Sequence, residues 1–400
     1  MSKHTIAIIG GGIIGSFVAY FLARSGRAGD IAVIEADPSY QRASTPNGAG
    51  GVRQLFSRPE NIQMSNFSIR FYREFAQTIA VDGEAADIDF NQRGYLFLVG
   101  AQGAKQLETN FSRQVQEGIN VQLLDRTELA QHYPSLGLGD IVLGCLSPTD
   151  GTITTRLALK HLRHKVERLG VSYITARVTA LETALKTSGK RVQRAILDDG
   201  NVVEADLFVN AAGAWASQIS EMVDMYLPVQ PMCRVKHFWT CEEEIEPLPL
   251  VKDESGLFFR PQDGGFIGGR PSFEIKPGFS FLPEHTETHQ YFHGYFDRTV
   301  RPLLTTRLPA FQCAQNSQSW TGHYAQNTLD GNMILGPWLN ELPNFYVACG
   351  FSGHGIMHAP AVGLALTELI LDGHYSTMDL ERMSYRRIIE NKPYSEEGII

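Results

Sequence analysis

The feature that most constrains this chain is the run Gly10-Gly11-Gly12-Ile13-Ile14-Gly15, set between a strand and a helix. Before it, Thr5 to Ile9 is a β-branched apolar run fit for a buried parallel strand. After it, Phe17 to Ser25 reads as a helix closed by Gly26, and Ile31 to Ile34 as a second buried strand ending on Glu35 and Ala36. Each glycine has a steric reason. Gly10 permits the tight turn, Gly12 lets a pyrophosphate approach the backbone, and Gly15 lets the helix pack close to the sheet. The helix N-terminus offers N–H groups and partial positive charge to phosphates, and Glu35 stands where a carboxylate accepts from ribose hydroxyls. Strand, glycines, helix, strand and acid in that order specify a Rossmann-type dinucleotide site, and the acid disfavours a 2′-phosphorylated cofactor.

A chain of 400 residues, 43% apolar and 20% charged, predicts two domains around separate cores. The formal charge of −8 with scattered Lys and Arg predicts no nucleic-acid footprint. Cys145, Cys233, Cys241, Cys313 and Cys349 form no CxxC pair, which fits reduced thiols and a cytoplasmic protein. The apolar stretch from Ile6 to Leu22 is broken by glycines and is not expected to be a leader, and no membrane span is expected. His161 with His164, and His285, His289 and His293, lack an acidic partner motif, so no metal is expected.

Further along, Pro59 to Ile79 reads as helix, Tyr95 to Val99 as strand and Gln102 to Gln116 as helix, with Thr127 capping another. Asp198-Asp199-Gly200-Asn201 marks a hairpin, and Leu207 to Asn210 a buried strand. From Leu227 to Pro337 prolines, aromatics and alternating patterns predict a mainly antiparallel sheet. A buried strand, Phe345 to Ala348, then leads into Gly350-Phe351-Ser352-Gly353-His354-Gly355 and a helix from about Ala361. The fold class expected is α/β, α+β overall: a Rossmann-type domain of residues 1–90, 140–226 and 320–400 with an inserted antiparallel domain of 91–139 and 227–319.

Several segments together resemble the D-amino-acid-oxidase-like FAD oxidoreductases, which include sarcosine oxidase, glycine oxidase and dimethylglycine dehydrogenase. They are the N-terminal GGGIIG with Glu35, Ala43-Ser44-Thr45 through Gly50-Gly51-Val52-Arg53, and Val209-Asn210-Ala211-Ala212-Gly213-Ala214-Trp215. Trp320-Thr321-Gly322, Thr328-Leu329-Asp330-Gly331 and the C-terminal GFSGHG complete the set. The stretch from Gly50 to Asn61 looks closest to the branch containing FAD-dependent oxidoreductase domain protein 1.

The resemblance implies FAD, with Ser44 and Val178 as further nucleotide contacts and the loop Gly350 to Gly355, continuing into Ile356, at the pyrimidine end of the flavin. Backbone donors there would favour hydride acceptance. It implies that Arg53 lies beside the flavin, that Tyr324 lines the substrate pocket and that His354 hydrogen-bonds flavin or its ribityl chain. The family's covalent attachment points are missing: Thr45-Pro46-Asn47-Gly48 has no His and Thr321-Gly322-His323-Tyr324 no Cys, so the FAD is expected to be non-covalent. Met357 and Phe266-Ile267-Gly268 stand where sarcosine oxidase has its carboxylate-binding and oxygen-activating lysines. Arg260, Arg270, Lys236 and His323 are candidate replacements. The activity implied is oxidation of a C–N bond in a small N-substituted or D-amino acid, with oxygen or another acceptor and a lean to dehydrogenase. A 2-hydroxy-acid dehydrogenase and a catalytically altered flavoprotein with an assembly role are the alternatives.

Overall fold

The computed structural model describes residues 2–26, 30–186, 189–282 and 284–399. Its first sheet has five parallel strands in the order Leu342–Cys349, Val202–Asn210, Ser2–Ile9, Ile31–Glu35 and Ser172–Thr175. Ile334–Trp338 adds an antiparallel edge, and the antiparallel pair Val178–Lys186 and Gly189–Leu197 joins through Val202–Asn210. Alternation along the first strand divides the core in two. Ile6 and Ile8 face one core, which holds residues of helices Ile13–Arg24, Pro59–Arg73, Thr155–Arg168 and Gly355–Asp372. Ala7 and Ile9 face the other, built with Val178, Leu181, Val192 and Ala195. Because the first strand is central, its C-terminal turn opens into the crevice where ligands bind in doubly wound sheets.

The second sheet has eight strands in the order Gln315–Asn327, Val229–Thr240, Gly265–Gly269, Phe258–Gln262, Leu250–Asp253, Tyr95–Val99, Leu143–Ser147 and Gln122–Asp125. All neighbours are antiparallel except Leu250–Asp253 beside Tyr95–Val99. Two of these strands shift the domain boundaries expected from sequence. Leu143–Ser147 and Gln315–Asn327 hydrogen-bond into this sheet, although their segments begin or end beyond 140 and 320. Composition does not mark such edges, because a strand's sheet is chosen by its partner and not by its own residues.

Two other departures have local causes. Asp125, not Thr127, caps helix Arg126–His132: its carboxylate accepts from the N–H groups of Thr127 and Glu128, and Glu128 reciprocates. The C-terminal helix starts at Gly355, six residues earlier than expected, and continues through Pro360. Proline cannot donate to the carbonyl four residues before it, here Ile356. The hydroxyl of buried Tyr72 donates to that carbonyl instead, at 2.7 Å. This helix is long and apolar enough to cross a membrane by length and composition, but most of it is buried against helices Ile13–Arg24 and Pro59–Arg73.

The Tyr72 substitute bond gives a direct test. Tyr72→Phe orphans the Ile356 carbonyl and lowers unfolding free energy by about 1–2 kcal/mol in urea melts. Adding Pro360→Ala restores an N–H donor and recovers most of that loss, whereas additive losses would show that the hydroxyl is not the substitute donor.

Candidate active site

A continuous cavity of about 1170 Å³ runs from the Gly10–Gly15 turn to one face of the second sheet. At its first end Gly10, Gly12, Ile13 and Ile14 line the wall, with Glu35, Ala36 and Val178 beside them. Gly15 does not line it. A Cβ there would lie 2.0 Å from the Gly10 carbonyl oxygen, so its role is the close approach of helix to turn. The Glu35 carboxylate accepts from the N–H of Gly11 at 2.7 Å and of Asp37 at 2.8 Å. Burial raises its pKa, and these two donors oppose that rise. Each carboxylate oxygen keeps a lone pair for a further donor, as a ribose contact requires.

The middle of the cavity is walled by Ser44, Gly50, Gly51, Ala212, Gly213 and Trp215. Two neighbours were not anticipated. The Thr45 hydroxyl accepts from the Ile13 N–H at 3.3 Å, tying the early loop to the start of the first helix. Arg42 lies 5.5 Å from the Trp215 ring and reaches Glu284 at 2.7 Å. Thr45 sits in the segment resembling the family's early loop and Arg42 just before it, but only the fold shows what that loop leans on.

Beyond this, Arg53 is 2% exposed. Its guanidinium donates to the Leu55 carbonyl, lies 4.1 Å from the Phe56 ring centre and 5.0 Å from that of Phe97, and approaches His354 Nε2 at 3.4 Å. Burial lowers its pKa, and Tyr95, Glu396 and Asp150 oppose the fall. The contact fixes the histidine tautomer. Arginine only donates, so Nε2 accepts and the ring proton sits on Nδ1. Burial and then the Arg53 charge hold His354 well below its ordinary pKa, so it stays neutral. Nδ1 is buried and finds no acceptor among the described residues, although His354 lines the cavity. A buried N–H donor left without a partner at the edge of a cleft fits a polar ligand such as flavin.

The C-terminal loop is bolted to the second sheet. Ser352 N donates to the Ala325 carbonyl at 2.9 Å, and the Ser352 hydroxyl accepts from Asn327 N at 3.0 Å. Gly353 has φ +95, and a Cβ there would lie 2.8 Å from the Tyr324 ring, so only glycine lets the tyrosine lie on the loop. Phe351, Ser352, Gly353, Gly355, Ile356 and Tyr324 all line the cavity, whereas Gly350 makes the turn behind it.

Side chains from the second sheet roof this end. Alternation puts Cys233, Trp239, Val251 and Phe259 into the core under the helices, and Arg234, Lys236, Leu250, Lys252 and Phe258 onto the cavity face. Of the four candidate anchors, Lys236 alone lines the cavity. Arg260 donates to the carbonyls of Ala49 and Pro261, Arg270 to that of Ser255, and His323 packs edge-on to Trp215. Sequence reasoning missed Arg234 and Lys252; the available signal was a basic residue inside an apolar strand. It also missed the tail, where Glu396, Gly398 and Ile399 close one side. The Glu396 carboxylate accepts from Ser57 N and Oγ, both at 2.6 Å, and from Arg58 N at 3.2 Å, capping helix Pro59–Arg73. Cys145 lines the wall too, but burial pushes its thiol up to about 12, leaving it protonated. Among the described residues no group of three or more His, Cys, Asp or Glu is placed to hold a metal.

A doubly wound sheet with a glycine turn at one end of a long cleft, and an antiparallel roof at the other, defines a two-domain flavoprotein oxidoreductase. The sequence profile of the FAD dependent oxidoreductase family matches residues 5–369, and the chain belongs to that family. Its cofactor is accordingly FAD. The chain is 35% identical over 434 residues to FAD-dependent oxidoreductase domain-containing protein 1 of Xenopus laevis, covering 100% of this chain and 85% of that one. The solved structure of L-proline dehydrogenase from P. horikoshii superposes with a TM-score of 0.79 at 25% identity, over 98% of this chain and 100% of that one. Glycine oxidase from Geobacillus kaustophilus gives 0.78 at 21% identity, over 96% and 98%.

Glu35 supplies a quantitative test. In Glu35→Gln one amide N faces a backbone N–H, leaving a buried donor unpaired, and the Kd for FAD rises about tenfold to a hundredfold. Fluorescence titration of the apoprotein reads this; an unchanged Kd would remove Glu35 from the nucleotide site.

Proposed function

We propose that this protein oxidises the C–N bond of a small amino acid, N-substituted or D-configured, using non-covalent FAD. The observation that carries the reading is Arg53 and neutral His354 meeting a cationic, aromatic roof at the end of the cleft opposite the nucleotide turn. FAD, when bound, supplies the hydride acceptor. The rest falls to the chain. Roof cations orient a substrate carboxylate, and Tyr324 on Gly353 sets the floor-to-roof spacing beside it. Arg53 holds a positive charge next to the site where negative charge develops, and the neutral His354 ring beside it lines the same end of the cleft. The substrate loses hydride from carbon and a proton from nitrogen, and water hydrolyses the resulting imine. That the similar L-proline dehydrogenase is named for an amino acid supports the substrate class.

The lean towards a dehydrogenase rests on the oxygen-activating lysine that Phe266-Ile267-Gly268 lacks, and Lys236 and Lys252 on other strands line the same cavity face. Parallel assays with oxygen and with a dye acceptor identify the electron acceptor.

The purified protein is expected to show flavin absorption bands, and acid precipitation to release the yellow chromophore. Anaerobic N-methyl or D-amino acids bleach it and 2-hydroxy acids do not; the reverse pattern would contradict the proposal. Arg53→Met slows flavin reduction by about a hundredfold or more while leaving FAD bound.

A further inference from the structure

We propose that the substrate carries an apolar side group, seated in a chamber beside Arg53 that Ile399 closes. The inference rests on the reading of the cleft as a flavin and substrate site, and names the class of molecule that enters it.

The chamber shows itself in the packing. A small apolar cluster gathers residues of strands Tyr95–Val99, Leu143–Ser147 and Leu250–Asp253 with residues of helix Ala104–Gln116. Its buried members include Leu55, Tyr95, Phe97, Val99, Leu107 and Leu250, and every one of them lines the cavity. The core on the other face of the same sheet behaves differently. Among the described residues, Val235 alone of its buried members reaches the cavity. Protein cores close on themselves at nearly crystalline density. A cluster that turns all its buried members towards a cleft leaves dispersion contacts for an apolar ligand to complete.

Helix Ala104–Gln116 forms one wall, with Leu107, Asn110 and Gln114 facing the cavity at spacings of three and four residues. Its amides are tied to protein neighbours. Gln114 donates to the Phe56 carbonyl at 2.9 Å and accepts from Cys145 Sγ at 3.7 Å. Asn110 accepts from Gln106 Nε2 at 3.0 Å and donates to the Glu397 carbonyl at 2.8 Å.

That last bond brings in the closing wall. The Glu397 carboxylate pairs with Arg58 at 3.0 Å and Arg113 at 3.1 Å. Gly398 has φ +90, and a Cβ there would lie 3.0 Å from Asn110 Nδ2, so glycine lets this segment lie against the helix. Beyond the turn, Ile399 packs on the apolar cluster and lines the cavity.

Arg53 sets the orientation. Its guanidinium carbon lies 5.0 Å from the ring centre of Phe97 and 6.0 Å from that of Tyr95, both chamber walls. A carboxylate drawn to Arg53 therefore sets the group it carries beside these rings. Amino acids with a branched or aromatic side group complete the chamber, and glycine-like ones do not.

The test uses the FAD-loaded protein and unreactive probes, so it does not depend on amine chemistry. Acetate, butyrate, hexanoate and benzoate are titrated at matched ionic strength, by calorimetry and by the shift of the flavin absorption bands. Affinity is expected to rise about threefold to fourfold per added methylene, or about a hundredfold from acetate to hexanoate. Ile399→Asn should weaken hexanoate about tenfold with acetate unchanged. Leu107→Phe, which fills the chamber, should keep FAD bound and reduce the hexanoate preference to about tenfold or less. A series flat with chain length, no binding of any member, or a preference that survives both substitutions would overturn the assignment. So would loss of FAD from Leu107→Phe, because the chamber would then hold the flavin ring itself. If the apolar probes bind as expected but D-leucine and N-methylleucine leave the flavin oxidised, the amine reading fails and the chamber stands.

Discussion

A guanidinium held out of water organises the junction of the two sheets. Arg53 leaves the glycine loop of the first domain and ends between Phe56 and Phe97, the latter from the second sheet, while its remaining edge meets His354 of the C-terminal loop. Three distant stretches of chain thus share one buried cation. Desolvating such a group is costly, and aromatic faces at 4–5 Å return about 2 kcal/mol or more when water is excluded. The carbonyl of Leu55 takes another donor. Nearby, Asp150 accepts from Gln54 N at 2.9 Å and Gln114 donates to the Phe56 carbonyl at 2.9 Å, so the loop that presents the arginine is itself held on both sides.

The cleft is consequently polarised along its length. One end offers backbone N–H groups and the start of a helix, with Glu35 behind them; the other offers side-chain cations on a sheet face. A dinucleotide and a small anion make opposite demands on a protein, one needing close backbone approach and the other mobile charge. Glycines on the parallel sheet suit the first demand, and arginine and lysine on the antiparallel one line the opposite end of the cleft. The loop from Phe351 to Gly355 joins the two solutions, bonded to the roof through Ser352 and leading directly into the helix whose freed Ile356 carbonyl Tyr72 satisfies.

How much of this could be read in advance follows from the range of the interactions. The strand, turn, helix and strand of the first 35 residues are local and each glycine has a local steric reason, so the dinucleotide half was legible. The roof was not. Cys233-Arg234-Val235-Lys236 alternates clearly, but alternation gives two faces without saying which meets solvent, and a basic face reads most simply as exposed. It is buried only because helices such as Arg301–Arg307 cover the opposite face and the first domain covers this one. Arg260 and Arg270 looked equally suitable and turned out to brace backbone carbonyls. The helix start at Gly355 was hidden by Pro360, whose disruptive effect is cancelled by a tyrosine 288 positions away in sequence (about the longest reach a pattern rule could be asked to span).

The central claim is that the cation junction, and not only the glycine turn, places the flavin. A crystal structure of the FAD-loaded protein tests it most directly. The account predicts the dinucleotide at the Gly10–Gly15 turn, the ring system between His354 and the roof, and His354 Nδ1 within hydrogen-bond distance of a flavin or ribityl oxygen. A ring system that contacts neither Arg53 nor His354 would contradict it.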